Sequence, residues 1–199
     1  CGAVSEVAGL VAAALPDGAR VLVPAGEFTS IVFPWAVHAD RGVTVREVPL
    51  DRLVESIDER TALVALSSVQ SSDGTIADLA AVAAAARRAG APPMLDATQS
   101  AGGLPLDTRP FDVVACAGYK WLMSPRGTAF GVLSPAMVER LRPVNAGWFA
   151  GEDVHSSYYG LPPRLARNAR RFDISPAWHC WVGTAGALRV IEEIGVESI

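Results

Sequence analysis

"MLDATQSAGGLPLDTRPFDVVACAGYKWLMSPRGTAFGVLSP", residues 94–135, contains three short apolar segments, and the polar residues that follow them decide how the chain reads. The first, within "PPMLDATQS" (92–100), predicts a short strand that ends in polar residues. "FDVVACAG" (111–118) predicts a strand buried on both faces, and "GTAFGVLS" (127–134) predicts one more. Just past the second strand stands Lys120, the one lysine among seventeen basic residues. A composition so biased toward arginine raises the question of what this position requires of a primary amine.

Outward from this stretch the pattern alternates helix and strand. "SEVAGLVAAAL" (5–15) predicts a helix with Ser5 as its N-cap, followed by a "PDG" turn and the strand "RVLVP" (20–24). "TSIVFPWAVHADRG" (29–42) is helical in pattern, with Pro34 near its start and Gly42 at its end. "VTVREVPL" (43–50) alternates as a strand does, and "ALVALSSV" (62–69) is a continuous apolar run. An alanine-rich helix over 76–90 stops at Gly90, and a last helix spans roughly 178–194 and closes at Gly195. Apolar strands that alternate with helices imply an α/β fold with a mainly parallel sheet covered on both faces. In such sheets ligands bind at the carboxyl ends of the strands, which places Asp96 and Lys120 on the functional edge.

Bulk composition narrows the classes of function. Half of the 199 residues are hydrophobic and 19% are charged, which gives a globular chain able to bury a sizeable core. A formal charge of -4 argues against a nucleic-acid partner, and the basic cluster "RLARNARR" (164–171) reads as a solvated helix face. Three cysteines without CxxC spacing (Cys1, Cys116, Cys180) point to a reducing cytoplasm and to no metal site, and Cys116 reads as a buried strand thiol. The histidines His38, His155 and His179 are scattered, which gives no support to a zinc or Ser/His/Asp centre. No apolar run reaches the ~18 residues of a membrane helix. No strand leads into GxGxxG, which weighs against a generic nucleotide-binding sheet. The chain opens at Cys1 on a helix start and closes just past a helix, so it reads as a piece of a longer protein, without an N-terminal segment and a C-terminal small domain.

Asp96 follows "PPML", where a carboxylate loses hydration and needs compensation. Capping of the "DATQS" turn is one use for it. The other is to hold a positive group, either as an ion pair with Lys120 or through a ligand that the two share.

The spacing D-A-x-Q, about twenty residues, a buried strand and then Tyr-Lys resembles the class V aminotransferase group of pyridoxal-phosphate (PLP) enzymes. That group includes cysteine desulfurases, kynureninases and isopenicillin N epimerase-like proteins. Weaker matches are "CGAVSEVAGLVAAAL" (1–15), "GEFTSIVFPW" (26–35), "NAGWFAG" (145–151) and "ARRFDIS" (169–175), so the resemblance covers almost the whole chain. It implies the PLP-binding large domain over 1–199, a three-layer α/β/α sandwich with about seven strands, and a homodimer that shares its active sites.

The same resemblance implies roles. Lys120 forms the Schiff base with PLP and moves the substrate's α-proton, which a primary amine can do and a guanidinium cannot. Asp96 pairs with the pyridine nitrogen and keeps it protonated. Gln99 donates to the phenolic oxygen, and Phe28 stacks on the ring. The cofactor phosphate meets the start of the first helix, at Ala3 and Val4. Relatives carry hydroxyl residues there and at the position of Ala117, so the phosphate grip rests on backbone N–H groups. Tyr119 and Trp148 match phosphate contacts, the tryptophan from a second subunit, and Ser175 stands in for a threonine. Arg126 reads as a loop residue, while Arg170 and Arg171 are either structural or face a partner. The expected activity is a PLP-dependent transferase or lyase acting on an amino acid, of aminotransferase or kynureninase/epimerase type. Tyr119 and Phe28 replace the histidines common in desulfurases, so a cysteine desulfurase is the alternative, and a catalytically degenerate binding protein is another. A desulfurase's cysteine and the arginine for the substrate carboxylate belong to the expected C-terminal part.

Overall fold

A computed structural model describes residues 1–199. Six strands form one sheet: β1 (Arg20–Pro24), β2 (Thr44–Val48), β3 (Leu63–Ser67), β4 (Pro93–Asp96), β5 (Val113–Ala117) and β6 (Ala129–Leu133). Their order is β2-β1-β3-β4-β5-β6. Every neighbouring pair is parallel except β5 and β6, which run antiparallel. All six strands picked from apolar patterning are present, and this chain contributes six strands to a sheet for which about seven were expected.

Helices cover both faces. They are α1 (Val4–Ala13), α2 (Phe33–Ala36), α3 (Leu53–Ser56), α4 (Leu79–Ala89), α5 (Pro135–Arg140) and α6 (Trp178–Ile194). Successive strand residues point to opposite sides, so each strand feeds two cores. Val21, Val23, Leu63, Ala65, Met94, Val113 and Ala115 pack with α1, Trp35 and Phe172 on one side. Leu22, Val64, Leu66, Leu95 and Val114 pack with Leu53 and the alanine face of α4 on the other. The central strands β3, β4 and β5 are buried along their whole length, as their unbroken apolar runs require.

Local chemistry sets the helix ends, and in three places it departs from the sequence reading. The α1 helix starts one residue before Ser5: Ala3 is its N-cap and offers no side-chain bond. Glu6 in the first turn accepts a hydrogen bond from Gly2 N, which lies before the helix, at 2.8 Å, and Ser5 stays exposed. The stretch 29–42 forms short turns around α2 in place of one helix, because Pro34 is accommodated only in a first turn. "RLARNARR" is no helix face: only Ala169–Phe172 turns, and the Arg170 guanidinium donates to Phe149 O at 3.2 Å and Glu152 O at 2.7 Å. Arg170 is therefore structural within the chain. By contrast α4 stops at Gly90 as expected, at φ 71°, and its N-cap is Asp78, which accepts from Ala81 N at 3.0 Å. No helix is long and apolar enough to cross a membrane.

Candidate active site

The parallel strands β1, β3 and β4 end on one edge, where Ser67 stands beside Asp96 in the register. Asp96 closes β4 and is 4% exposed. Its Oδ1 accepts a hydrogen bond from Thr98 N at 2.9 Å. Burial pushes the carboxyl up to about 6, the Thr98 hydrogen bonds oppose this, and the nearby Glu27 carboxylate adds to the rise. No ion pair joins Asp96 to Lys120 or to any other cation. Of the two uses foreseen for this acid, the direct Asp–Lys bridge is absent and the turn cap is present.

Thr98 does more than cap. Its Oγ1 accepts from Ala117 N at 2.9 Å, which locks the end of β4 to the end of β5. The chain then passes through Gly118, whose N–H donates to Thr128 O and whose carbonyl accepts from Ser124 N, both at 2.9 Å. A Cβ there would meet Thr128 Oγ1 at 2.7 Å and the Ser124 Cβ at 2.9 Å, so glycine is needed for this close approach. The clamp delivers Tyr119 and Lys120 to the cavity wall. Lys120 is exposed, its carbonyl accepts from Met123 N at 2.9 Å, and no hydrogen bond or ion pair engages its ammonium.

One cavity gathers most of the expected residues: Ala3 and Val4 from the start of α1, Phe28, Asp96, Gln99, Tyr119 and Lys120. Phe28 is 48% exposed, so it is a wall of the cavity and no part of the core. Gln99 is half-buried in the turn after β4. The Arg126 guanidinium lies 4.1 Å from the centre of the Tyr119 ring, a cation–π contact that makes it more than a loop residue. Cys116 is buried on β5 and its thiol is pushed up to about 12, by burial first and by Asp96 second, which removes it as a nucleophile.

Two expected residues stay outside this cavity. Trp148 packs edge-on against Phe149 at 5.3 Å and tilts against Tyr158 at 5.1 Å. Ser175 is exposed and lines a separate depression with Cys1, Gly2 and Gly127. Both belong to the irregular chain between α5 and α6.

Sequence reading missed five cavity or near-cavity residues. Ser30, Ser67, Ser71 and Thr98 line the cavity, and behind them the carboxylate of Glu27 is 7% exposed and bonded to Ser67, Gln70 and Phe28 N. The only signal for Ser67 was the polar pair that closes the apolar run of 62–69. For Glu27 it was a lone acid three residues past a buried strand.

These residues fit the ring of PLP. A buried acid without a cation suits a protonated ring nitrogen, the half-exposed Phe28 offers a flat apolar surface, and an unengaged amine stands on the same wall. Toward a phosphate the fit relies on the backbone. Ala3 and Val4 lie at the start of α1, whose first N–H groups have no acceptor one turn back. Gly2 N and Ala117 N are already committed, to Glu6 and to Thr98.

The sequence model of the Aminotransferase class-V family matches residues 2–199. An uncharacterized aminotransferase of Bacillus subtilis (YcbU) is 30% identical over 87% of this chain and 47% of its own length. A probable cysteine desulfurase of Methanothermobacter thermautotrophicus is 30% identical over 98% of this chain and 51% of its own. Among solved structures, a mutant of the cystine C–S lyase C-DES with glycine covalently linked to its PLP cofactor superimposes with a TM-score of 0.84. It does so at 24% identity, over 96% of this chain and 54% of the lyase. The chain thus spans about half the length of the relatives it matches.

Proposed function

Because this chain belongs to the class V aminotransferase family, we propose that it is the cofactor-binding half of a PLP-dependent enzyme that acts on an amino-acid substrate through Lys120. The observation that carries this reading is the pairing on one cavity of a buried, cation-free Asp96 with an unengaged Lys120. When bound, PLP supplies an aldehyde for an amine and a ring that draws electrons from the substrate's α-carbon. With PLP bound, Lys120 would hold the cofactor through its Nζ, and the same amine, once free, would move the substrate's α-proton. Asp96 keeps the ring nitrogen protonated, since its ionised carboxylate favours the charged form of a neighbouring base. Phe28 would pack against the ring, Gln99 would donate toward the phenolic oxygen, and the N–H groups at Ala3 and Val4 would meet the phosphate with help from Tyr119. The protein works as a cytoplasmic homodimer, in which Trp148 serves the partner's cofactor, and Ser175 is the weakest member of the phosphate set.

Within the family we favour aminotransferase or kynureninase/epimerase-like chemistry, since the residue before Lys120 is Tyr119 and the wall is Phe28. The second reading, a cysteine desulfurase, is favoured by the relative that carries that name. None of the three cysteines of this chain lines the cavity, so its nucleophile would have to come from outside these residues.

Two measurements test the proposal. Borohydride reduction of the PLP-reconstituted protein is expected to attach one cofactor, and Lys120→Ala to attach none. Covalent trapping that survives in Lys120→Ala overturns the assignment. Incubation with cysteine, alanine and other amino acids then separates release of sulfide from formation of keto acid or loss of chirality.

A further inference from the structure

We propose that Glu27, on the loop after β1, is a positioning residue of this site: its carboxylate fixes the Phe28 wall and the Ser67 edge of the cavity and sets a second negative charge near Asp96. The inference rests on the reading above and adds a residue to it. Glu27 is buried, yet no cation pairs with it. Four donors converge on its two oxygens instead. Oε1 accepts from Phe28 N at 2.8 Å and from Ser67 Oγ at 2.6 Å. Oε2 accepts from Ser67 N at 2.8 Å and from Gln70 Nε2 at 2.9 Å.

Three of those donors belong to two residues that line the cavity, Phe28 and Ser67. Phe28 lies outside both cores and its ring is 48% exposed, so the Glu27 bond to its N–H and the short turn that follows it are the polar ties that hold this wall. Ser67 faces Asp96 across the β3–β4 register, so the same carboxylate reaches the strand end next to the acid that meets the ring. Its charge is felt there, since it raises the proton affinity of Asp96.

The other titratable groups around Asp96 are Cys116 on β5 and, after β5, Tyr119 and Lys120 on the cavity wall. Cys116 stays a neutral thiol at ordinary pH, which leaves Glu27 as the second anion of the set. The four donors compensate the burial of this carboxylate, and its charge favours a cationic ring in the adjoining cavity. The carboxylate accepts four donors, which an amide cannot do, so both the hydrogen-bond set and the charge call for glutamate at this position.

The test uses the protein reconstituted with PLP, compared with Glu27→Gln and Glu27→Asp. Cofactor affinity, induced visible circular dichroism and the pH midpoint of the visible absorption are measured, with thermal melts of the cofactor-free proteins as a control for folding. Glu27→Gln is expected to weaken PLP binding about tenfold, the scale of a lost charge-assisted hydrogen bond. It also lowers the absorption midpoint by about half a pH unit or more, because a removed anion disfavours the protonated cofactor. Glu27→Asp keeps the charge and shortens the reach, so the midpoint stays near wild type while affinity and the dichroic band fall. A folded Glu27→Gln with unchanged affinity, dichroism and midpoint overturns the proposal and leaves the Lys120 reading intact. If Glu27→Gln does not fold, Glu27→Asp decides, and unchanged affinity and dichroism in it overturn the positioning role. A wild-type protein that takes up no PLP overturns both readings.

Discussion

The edge where β4 and β5 end and the irregular stretch 142–177 are held in different ways. On the edge, each residue is fixed by strands buried on both sides and by short polar ties such as Thr98 Oγ1 to Ala117 N at 2.9 Å. In 142–177 the backbone is pinned by a few side-chain contacts, chiefly the Arg170 guanidinium on two carbonyl oxygens and the cluster of Trp148, Phe149 and Tyr158. The edge brings its expected residues to one cavity, and the stretch does not. A residue at the end of a central strand inherits its position from the sheet. A residue in a long connection takes its position from whatever lies beside it, which for Trp148 in this family's expected dimer includes a second copy.

Substitution at Asp96 tests the edge hardest. Asp96→Asn keeps the acceptor for Thr98 N and removes the charge that serves the ring nitrogen, so turnover is expected to fall roughly 100-fold or more. The cofactor-free protein is expected to move the other way. Burial holds Asp96 at about 6 in the fold against an ordinary 3.8, so this raised carboxyl stabilises the fold while protonated and loses that contribution as pH climbs from about 4 to about 6. Between pH 5 and pH 7 the cofactor-free wild type should lose about 1 kcal/mol from this group, and Asp96→Asn should abolish that dependence. Denaturant melts at the two pH values measure it. A variant as pH-dependent as wild type would show that the burial of Asp96 carries no strain.

Gly118 and Thr98 probe the clamp that delivers Lys120. Gly118→Ala places a methyl at 2.7 Å from Thr128 Oγ1 and 2.9 Å from the Ser124 Cβ, so a loss of about 1–3 kcal/mol of stability is expected. Thr98→Val removes the acceptor of Ala117 N in a buried site and should cost about 1–2 kcal/mol, together with part of the PLP affinity. If Thr98→Val left both unchanged, the tie between the two strand ends would not be what orients the lysine.

Legibility in the sequence followed the same division. All six strands could be read because unbroken apolar runs such as "VVACA" and alternation such as "TVREV" report burial directly. Asp96 and Lys120 could be read because each breaks such a run at its carboxyl end. Glu27 was hidden, since its four hydrogen bonds come from residues one and about forty positions away, and no local pattern announces a long-range acceptor. Ser5 is no cap because α1 already begins at Val4, with Ala3 as its N-cap, and no local pattern marks an alanine as a cap. "RLARNARR" carries a charge pattern that a helix face and a set of carbonyl-binding arginines share, and only the fold separates them.

Ser175 marks the smallest expected effect and the sharpest contrast with the edge. Its hydroxyl makes no hydrogen bond within the chain, and its depression is shared with Cys1 and Gly2, while the cavity meets Ala3 and Val4 on the next residues of the same segment. If position in the sheet is what makes a cofactor residue legible, Ser175→Ala should change PLP affinity less than twofold, where Thr98→Val weakens it visibly. Equilibrium titration of both variants with PLP compares them directly. A Ser175→Ala loss near tenfold, the scale of a charge-assisted bond to phosphate, would instead mean that the stretch 142–177 closes onto the cofactor when it binds.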